Sequence, residues 1–193
     1  MKQLFILLLF IIFSQKALAQ EQPDSVVISF YKWYFSMIEQ GTIEEYQPIF
    51  VPDTTGMTTL NMNKYITNLK SYHFSDSLIN KEIESYLKCI EEVRKIPFGQ
   101  LNEKLPNLED YRNIGCDFFN IYRWTMCVEP LSGIDIIETI TIDPNNVIVK
   151  GKFYSSTSPV SDKSYWNKYL YAALIKKNNI WEINRIEIKN TND

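Results

Sequence analysis

The groups able to move protons or hold metals are few and scattered. His73 is the only histidine, and it follows Tyr72 at an expected helix end. A serine or cysteine hydrolase would need it as a base, yet there is no G-x-S-x-G turn and no cysteine beside it. His73 therefore reads as an exposed or cap-adjacent histidine. One histidine and three separated cysteines, Cys89, Cys116 and Cys127, make no zinc set, and no C-x-x-C pair supports redox chemistry. Asp53, Asp76 and Asp143 open no calcium-loop pattern. The 6 glycines include no glycine-rich turn ahead of a helix, so no phosphate cradle is expected. Neighbouring carboxylates at Glu44-Glu45, Glu91-Glu92 and Glu109-Asp110 fit solvated surface, because a glycosidase pair is defined by separation in space. No metal and no cofactor are expected.

Polar groups set among aromatics are more informative. Asp117 precedes Phe118-Phe119 and is the candidate for a catalytic carboxylate. Apolar surroundings raise a carboxyl's pKa, which makes its ionised form a stronger base. The competing reading is a turn cap paired with an arginine. Arg123 lies between Tyr122 and Trp124 on an expected strand, so it points away from both rings. Arg185 shares a face with Trp181 and Ile183. Tyr154 and Trp166 border a Ser/Thr-rich stretch, where exposed rings would anchor a protein partner. With Tyr34 on the first helix, Arg123, Tyr154, Trp166 and Arg185 are the candidate binding residues. The odd cysteine count allows one disulfide and one buried thiol, with Cys116 and Cys127 the nearer pair in sequence. Three buried thiols remain the alternative.

The elements that must position these groups change period midway along the chain. Asp24 after Pro23 is the expected N-cap of a helix over Ser25 to Gln40, and Gly41 its stop. Ser25, Ser29, Lys32, Ser36 and Glu39 form one polar stripe, and the remaining circumference is apolar and must be covered on more than one side. Residues 42–58 read as a connection with a turn at Asp53-Thr54-Thr55-Gly56. Helices are expected over Thr59 to Ser71 and Ser77 to Lys95, then a loop over 97–110. Tyr122 to Val128 alternates as a strand does. Ile136 to Ile142 and Val147 to Tyr154 flank a Pro/Asn turn, and Asn167 to Lys176 and Ile180 to Ile188 flank Asn178-Asn179, giving two hairpins. Helices followed by a strand meander predict an α+β domain, with a long first helix and further helices on a curved antiparallel sheet of about four or five strands.

The N-terminus predicts the address. Lys2, an apolar run from Leu4 to Phe13 and a small-x-small site at Ala17-Leu18-Ala19 form a secretory signal, expected as residues 1–19 with cleavage after Ala19. The run is about half the ~20 residues a membrane helix needs. Gln20 stands where a lipoprotein would carry cysteine. The expectation is a periplasmic or secreted protein with one domain over 20–193, its core spanning 24–188. The chain is 45% hydrophobic and 22% charged with a formal charge of −3, which is globular composition without a basic footprint for nucleic acid.

Phe30-Tyr31-Lys32-Trp33-Tyr34, Asp117-Phe118-Phe119, Tyr171-Ala172-Ala173-Leu174 and Trp181-Glu182-Ile183-Asn184-Arg185-Ile186 resemble the bacterial secreted and lipoprotein domains of unknown function that include YbjP and YqhG. The type VI amidase-immunity proteins are relatives of that family. The resemblance covers about Asp24 to Ile188 and implies a cone-shaped roll, nuclear-transport-factor-2-like or cystatin-like, with a curved sheet around the first helix. The chain departs from the pattern in lacking the lipobox cysteine and in a long insertion around 76–110. The resemblance brings no catalytic residue with it. By subtraction the expected function is non-enzymatic: an envelope module binding another envelope or secreted protein, effector immunity being a special case. The alternatives are a small-ligand pocket protein and a cone-fold isomerase or hydrolase using one carboxylate.

Overall fold

A computed structural model describes residues 21–119, 121–156 and 163–190, with the side chain of Phe119 also outside the description. The expected signal segment and the middle of the Ser/Thr-rich loop lie outside the described residues. Helix α1 runs Pro23–Gln40. It starts earlier than expected because Pro23, with its φ already helical, takes the first position. Gln22 is therefore the N-cap, and Asp24 sits in the first turn, where its charge favours the helix dipole. Gly41 ends it at φ +68, its N–H returning to Ile38 while Thr42 N–H donates to Met37. Val26, Val27, Phe30, Tyr31, Tyr34 and Phe35 are buried, each apolar side chain worth about 1.5–3 kcal/mol on leaving water. Ser25, Ser29, Lys32 and Glu39 of the polar stripe stay exposed.

The connection after α1 is more regular than its composition implied. It holds α2 (Ile43–Tyr46) and a small hairpin, β1 (Ile49–Pro52) with β2 (Thr58–Asn61). Asp53 closes the hairpin by accepting from Thr55 N–H, Thr55 Oγ1 and Met57 N–H. The helix expected from Thr59 begins only at α3, Asn63–Ser71, because the preceding residues pair in the hairpin. The single helix expected over Ser77 to Lys95 is two, α4 (Asp76–Ser85) and α5 (Leu87–Val93), broken at Tyr86. Ser75 caps α4 by accepting from Leu78 N–H. The 97–110 loop contains a 3-10 turn at Phe98–Gln100, α6 (Leu101–Lys104) and the start of α7 (Leu108–Asn113), which opens on an Asn107/Asp110 capping box.

The strand expected over Tyr122 to Val128 is absent. Met126 N–H and Thr125 N–H both return to the Tyr122 carbonyl, so the segment coils into a turn with Met126 at φ +52. Its apolar/polar alternation imitated a strand, but tertiary hydrogen bonds from α1 fix it otherwise. The tyrosine hydroxyl of residue 31 donates to the Trp124 carbonyl at 2.8 Å. The remaining strands form the meander: β3 (Gly133–Asp143), β4 (Asn146–Ser155), β5 (Ser164–Lys177) and β6 (Ile180–Asn190), antiparallel in sheet order β3-β4-β5-β6. Asn178 and Asn179, at φ 51 and 64, make the tight turn between β5 and β6. Val149, Phe153, Leu170, Ala172, Leu174 and Ile183 form the buried inner face against which α1 packs, with Tyr31 and Phe35 both edge-on to Phe153. This is an α+β fold with helices packed on antiparallel sheets.

The disulfide joins Cys89 of α5 to Cys116, not Cys116 to Cys127 as sequence nearness suggested. The Cα atoms of Cys89 and Cys116 are 4.9 Å apart, within bridging range, and Cys127 is a buried free thiol. Sequence distance carried no information on this pairing, because the chain between α5 and Cys116 folds back on itself over a separation of 27 residues.

Candidate functional site

Two places gather polar groups. The first is buried. Ile79, Glu82, Tyr86, Cys89 and Val93 form one inward stripe along α4 and α5, and Glu82 is only 2% exposed on it. Its Oε1 accepts from Tyr65 Oη and Tyr86 Oη, both at 2.7 Å. Its Oε2 accepts from Arg123 Nε at 2.8 Å and lies 2.7 Å from Arg123 Nη2. Burial, reinforced by the neighbouring carboxylate, holds the Tyr65 and Tyr86 hydroxyls well above the usual phenol range, so they remain donors. Partial burial works against the Arg123 charge, but Glu82 outweighs it and raises the guanidinium further. With both carboxylate oxygens occupied by protein donors, this cluster fastens the 121–128 turn to the helices.

Two of the candidate binding residues meet at that turn, both as structural parts. Arg123 pairs with Glu82 and lies 5.9 Å over the Trp124 ring, where the sequence pattern had it on a strand facing away. Tyr34 is 1% exposed, and its hydroxyl accepts from Trp124 N–H at 3.4 Å. Burial raises its pKa, so it is a core phenol and no contact surface.

The second place is open. Between the outward stripe of α1 and the start of β3 lies a groove of ≈ 980 Å³, lined among others by Lys32, Phe35, Ser36, Leu131, Ile134 and Tyr154. Tyr154 is positioned there by Gly133, its cross-strand partner: a side chain at 133 would collide with the Tyr154 phenol. Lys163 lies 4.2 Å over the Tyr154 ring and also borders the groove.

The other candidates sit apart from it. Trp166 is half-buried, packing near Phe153 with Lys168 4.8 Å over its ring, so it is no exposed anchor. Arg185 points away from Trp181 and Ile183, because Asn184 is an extra, bulged residue on β6 that inverts the alternation. It is exposed and pairs with Glu187 at 3.3 Å. The bulge docks the 73–75 segment: Asn184 Oδ1 accepts from Ser75 Oγ, and Ile183 N–H donates to the His73 carbonyl. His73 is at φ 59, its side chain exposed and 3.8 Å from Glu21. Asp117 opens a 3-10 turn with its side chain in solvent, outside the aromatic surroundings expected for it. Among the described residues no group of His, Cys, Asp or Glu is placed to hold a metal ion, and no helix is long and apolar enough to cross a membrane.

Sequence reasoning missed Glu82, although a signal existed. Positions 79, 82, 86, 89 and 93 step by three and four, and one of them is a carboxylate on an otherwise uncharged stripe. Comparison with protein families, curated proteins and solved structures finds nothing that matches this chain.

Proposed function

We propose that this chain is an exported, non-enzymatic envelope protein that works by holding another protein. The observation that carries this reading is the groove of ≈ 980 Å³ beside α1, where apolar walls meet the exposed charges of Lys32 and Glu39. A carboxylate available for chemistry would support turnover, but Glu82 is committed on both oxygens. Export is supported by the signal pattern and by the Cys89–Cys116 bridge, which persists in an oxidising compartment. The cone-shaped roll implied by the resemblance is our reading of the architecture, supported by α1 lying across the inner face of the meander. Immunity toward a secreted effector is one form such binding takes.

A small ligand is the second reading, because the groove's volume falls in the range of about 300–1,000 Å³ typical of small-molecule sites. The test is capture from envelope extracts by the tagged mature protein, with Ser36→Trp filling the groove and Asp117→Asn as comparison. A partner recovered by the wild type and by Asp117→Asn, but lost with Ser36→Trp, is the expected result. Turnover in a substrate screen that disappears with Asp117→Asn would overturn the proposal. Mass spectrometry of the exported protein should find Gln20 at its N-terminus, and retained Met1 would remove the export reading.

A further inference from the structure

The inner face of the four-stranded sheet is covered by α1, whereas its outer face carries an interleaved set of lysines and tyrosines. Cross-strand register places Lys150 opposite Tyr171, Lys152 opposite Tyr169 and Tyr154 opposite Tyr165. Lys150 Nζ lies 4.9 Å and 5.6 Å from the Tyr169 and Tyr171 ring centroids. Lys152 Nζ lies 5.6 Å and 5.3 Å from those of Tyr165 and Tyr169. Lys189 adds a contact to Tyr171 at 5.3 Å, and Lys163 covers Tyr154.

Carboxylates of β3 and β6 accompany these lysines without matching them one for one. Lys163 is neutralised by Asp135 at 2.6 Å, and Lys189 meets Glu187 at 3.1 Å. Lys150 is 3.5 Å from Glu138, while Lys152 faces Asp135 across the strands and lies over rings, its neighbour Asp135 being engaged by Lys163 and Tyr165. The rings hold the ammoniums in place without cancelling their charge. The lysines outnumber the carboxylates Asp135, Glu138 and Glu187, so a small cationic excess is held in place on a chain whose formal charge is −3.

We propose that this outer face docks an extended acidic segment of a partner protein. Charge complementarity selects the sign, since a fixed cationic patch on an acidic molecule steers and orients a negative partner. Spacing selects the shape. Alternate residues of an extended chain recur about every 6.6–6.8 Å, the interval separating Lys150 from Lys152 and Tyr169 from Tyr171 on their own strands. Ring clamping lowers the entropy lost when the lysines are engaged, and tyrosine is a side chain that interfaces favour. A second copy of this chain is a poorer occupant, because two-fold stacking sets the same cations against each other. The face is continuous with the groove, since Tyr154 and Lys163 belong to both. The inference rests on reading the chain as a protein-binding module and names the chemistry of what it binds.

The test uses the mature protein and a fluorescent peptide of alternating Glu and Ser, with an alternating Gln and Ser peptide as reference, read by anisotropy across a salt series. The Glu peptide should bind, more weakly as salt rises, and the Gln peptide should not. Lys150→Gln/Lys152→Gln should weaken it about fivefold or more, whereas Lys70→Gln/Lys81→Gln, the same charge change on α3 and α4, should stay within about twofold. Tyr169→Leu, which keeps the face covered but removes the nearer ring from both lysines, should also weaken it. Absence of Glu-peptide binding at low salt by the wild type overturns the assignment, whatever the envelope capture shows. Loss of capture with Ser36→Trp alongside such a failure leaves the binding-module reading standing without this face. Tighter binding of polygalacturonate than of the Glu peptide, weakened by the same lysine changes, would give the face to an acidic polysaccharide and overturn the proposal. Self-association of the wild type abolished by Lys150→Gln/Lys152→Gln would overturn it as well.

Discussion

Replacing Arg123 by Met removes, among the described residues, the only cation bonded to Glu82, a carboxylate whose side chain is 1% exposed. Breaking a buried ion pair from one side costs about 3–5 kcal/mol, because the remaining charge is left without compensation. The Arg123 side chain is 38% exposed, so water reaches the vacated edge of Glu82 and the expected cost falls to about 2–3 kcal/mol. In a domain of this size that lowers Tm by roughly 5–10 °C. Arg123→Lys keeps the charge but loses the two-point contact through Nε and Nη2, and should fall between wild type and Arg123→Met. The combined variant Tyr65→Phe/Glu82→Met/Tyr86→Phe/Arg123→Met leaves no unpartnered polar group behind and should return to within about 1 kcal/mol of wild type. Urea unfolding followed by circular dichroism reads all three, with the m-value unchanged if only the native state is altered. Arg123→Met within about 0.5 kcal/mol of wild type would refute the claim that Glu82 depends on this partner. A combined variant less stable than Arg123→Met would refute the claim that the network is replaceable by apolar packing.

Other perturbations follow from the same contacts. Tyr34→Ala, at a site 1% exposed, should cost about 3–5 kcal/mol, whereas Trp33→Ala, half-buried and stacked on Tyr72, should cost about half that, both by denaturant unfolding. Reducing Cys89–Cys116, or Cys116→Ser, should cost about 3.5 kcal/mol for a closed loop with a sequence separation of 27, and Cys127→Ala should leave disulfide mapping unchanged. Hydrogen bonds from Thr55 to Asp53, from Asn145 and Asn146 to Asp143, and from Lys163 and Tyr165 to Asp135 hold these carboxyls below their ordinary values. A depressed folded-state value gives stability that is complete above the unfolded value of about 3.9 and is lost as pH falls through the folded one. The acid limb of the stability curve should therefore flatten in an Asp53→Asn/Asp143→Asn variant, and an unchanged limb would show that these turns do not set it.

How much was legible depended on whether local pattern or distant contact fixed each segment. The meander was readable because β3 to β6 are long, β4 alternates cleanly, and the hairpins meet at Pro/Asn and Asn-Asn turns, with Asn178 and Asn179 accepting positive φ. Helix α1 was readable because one polar stripe separated it from a nearly complete apolar surface, although its start was misplaced by weighing Asp24 above Pro23. Short elements were not. The β1–β2 hairpin has four-residue strands, too few for a period to declare itself. The 122–128 turn alternates like a strand, but the Tyr31 hydroxyl and the Arg123–Glu82 pair, contacts across 93 and 41 residues, decide its shape.

The site residues follow the same logic, and Arg185 shows why a face assignment from parity is fragile. Counting by twos along β6 put Arg185 beside Trp181 and Ile183, and that count holds up to Asn184. There one extra residue is inserted so that the Asn184 side chain can receive Ser75 and the 73–75 segment can pair with Ile183. Every later side chain changes face, which sends Ile186 and Ile188 inward against the core and puts Arg185, Glu187 and Lys189 on the outer face. The bulge thus has two effects at once: it closes part of the sheet's last edge with a backbone clip, and it adds Lys189 to the cations of the outer face. Nothing local in the sequence tells an outward tyrosine of that face from a buried one. The difference lies in the lysines. On β4, Lys150 and Lys152 alternate with Val149, Gly151 and Phe153, so their face is outward, and register then carries Tyr169 and Tyr171 to the same side. An aromatic opposite an alternating lysine therefore belongs to the outer face.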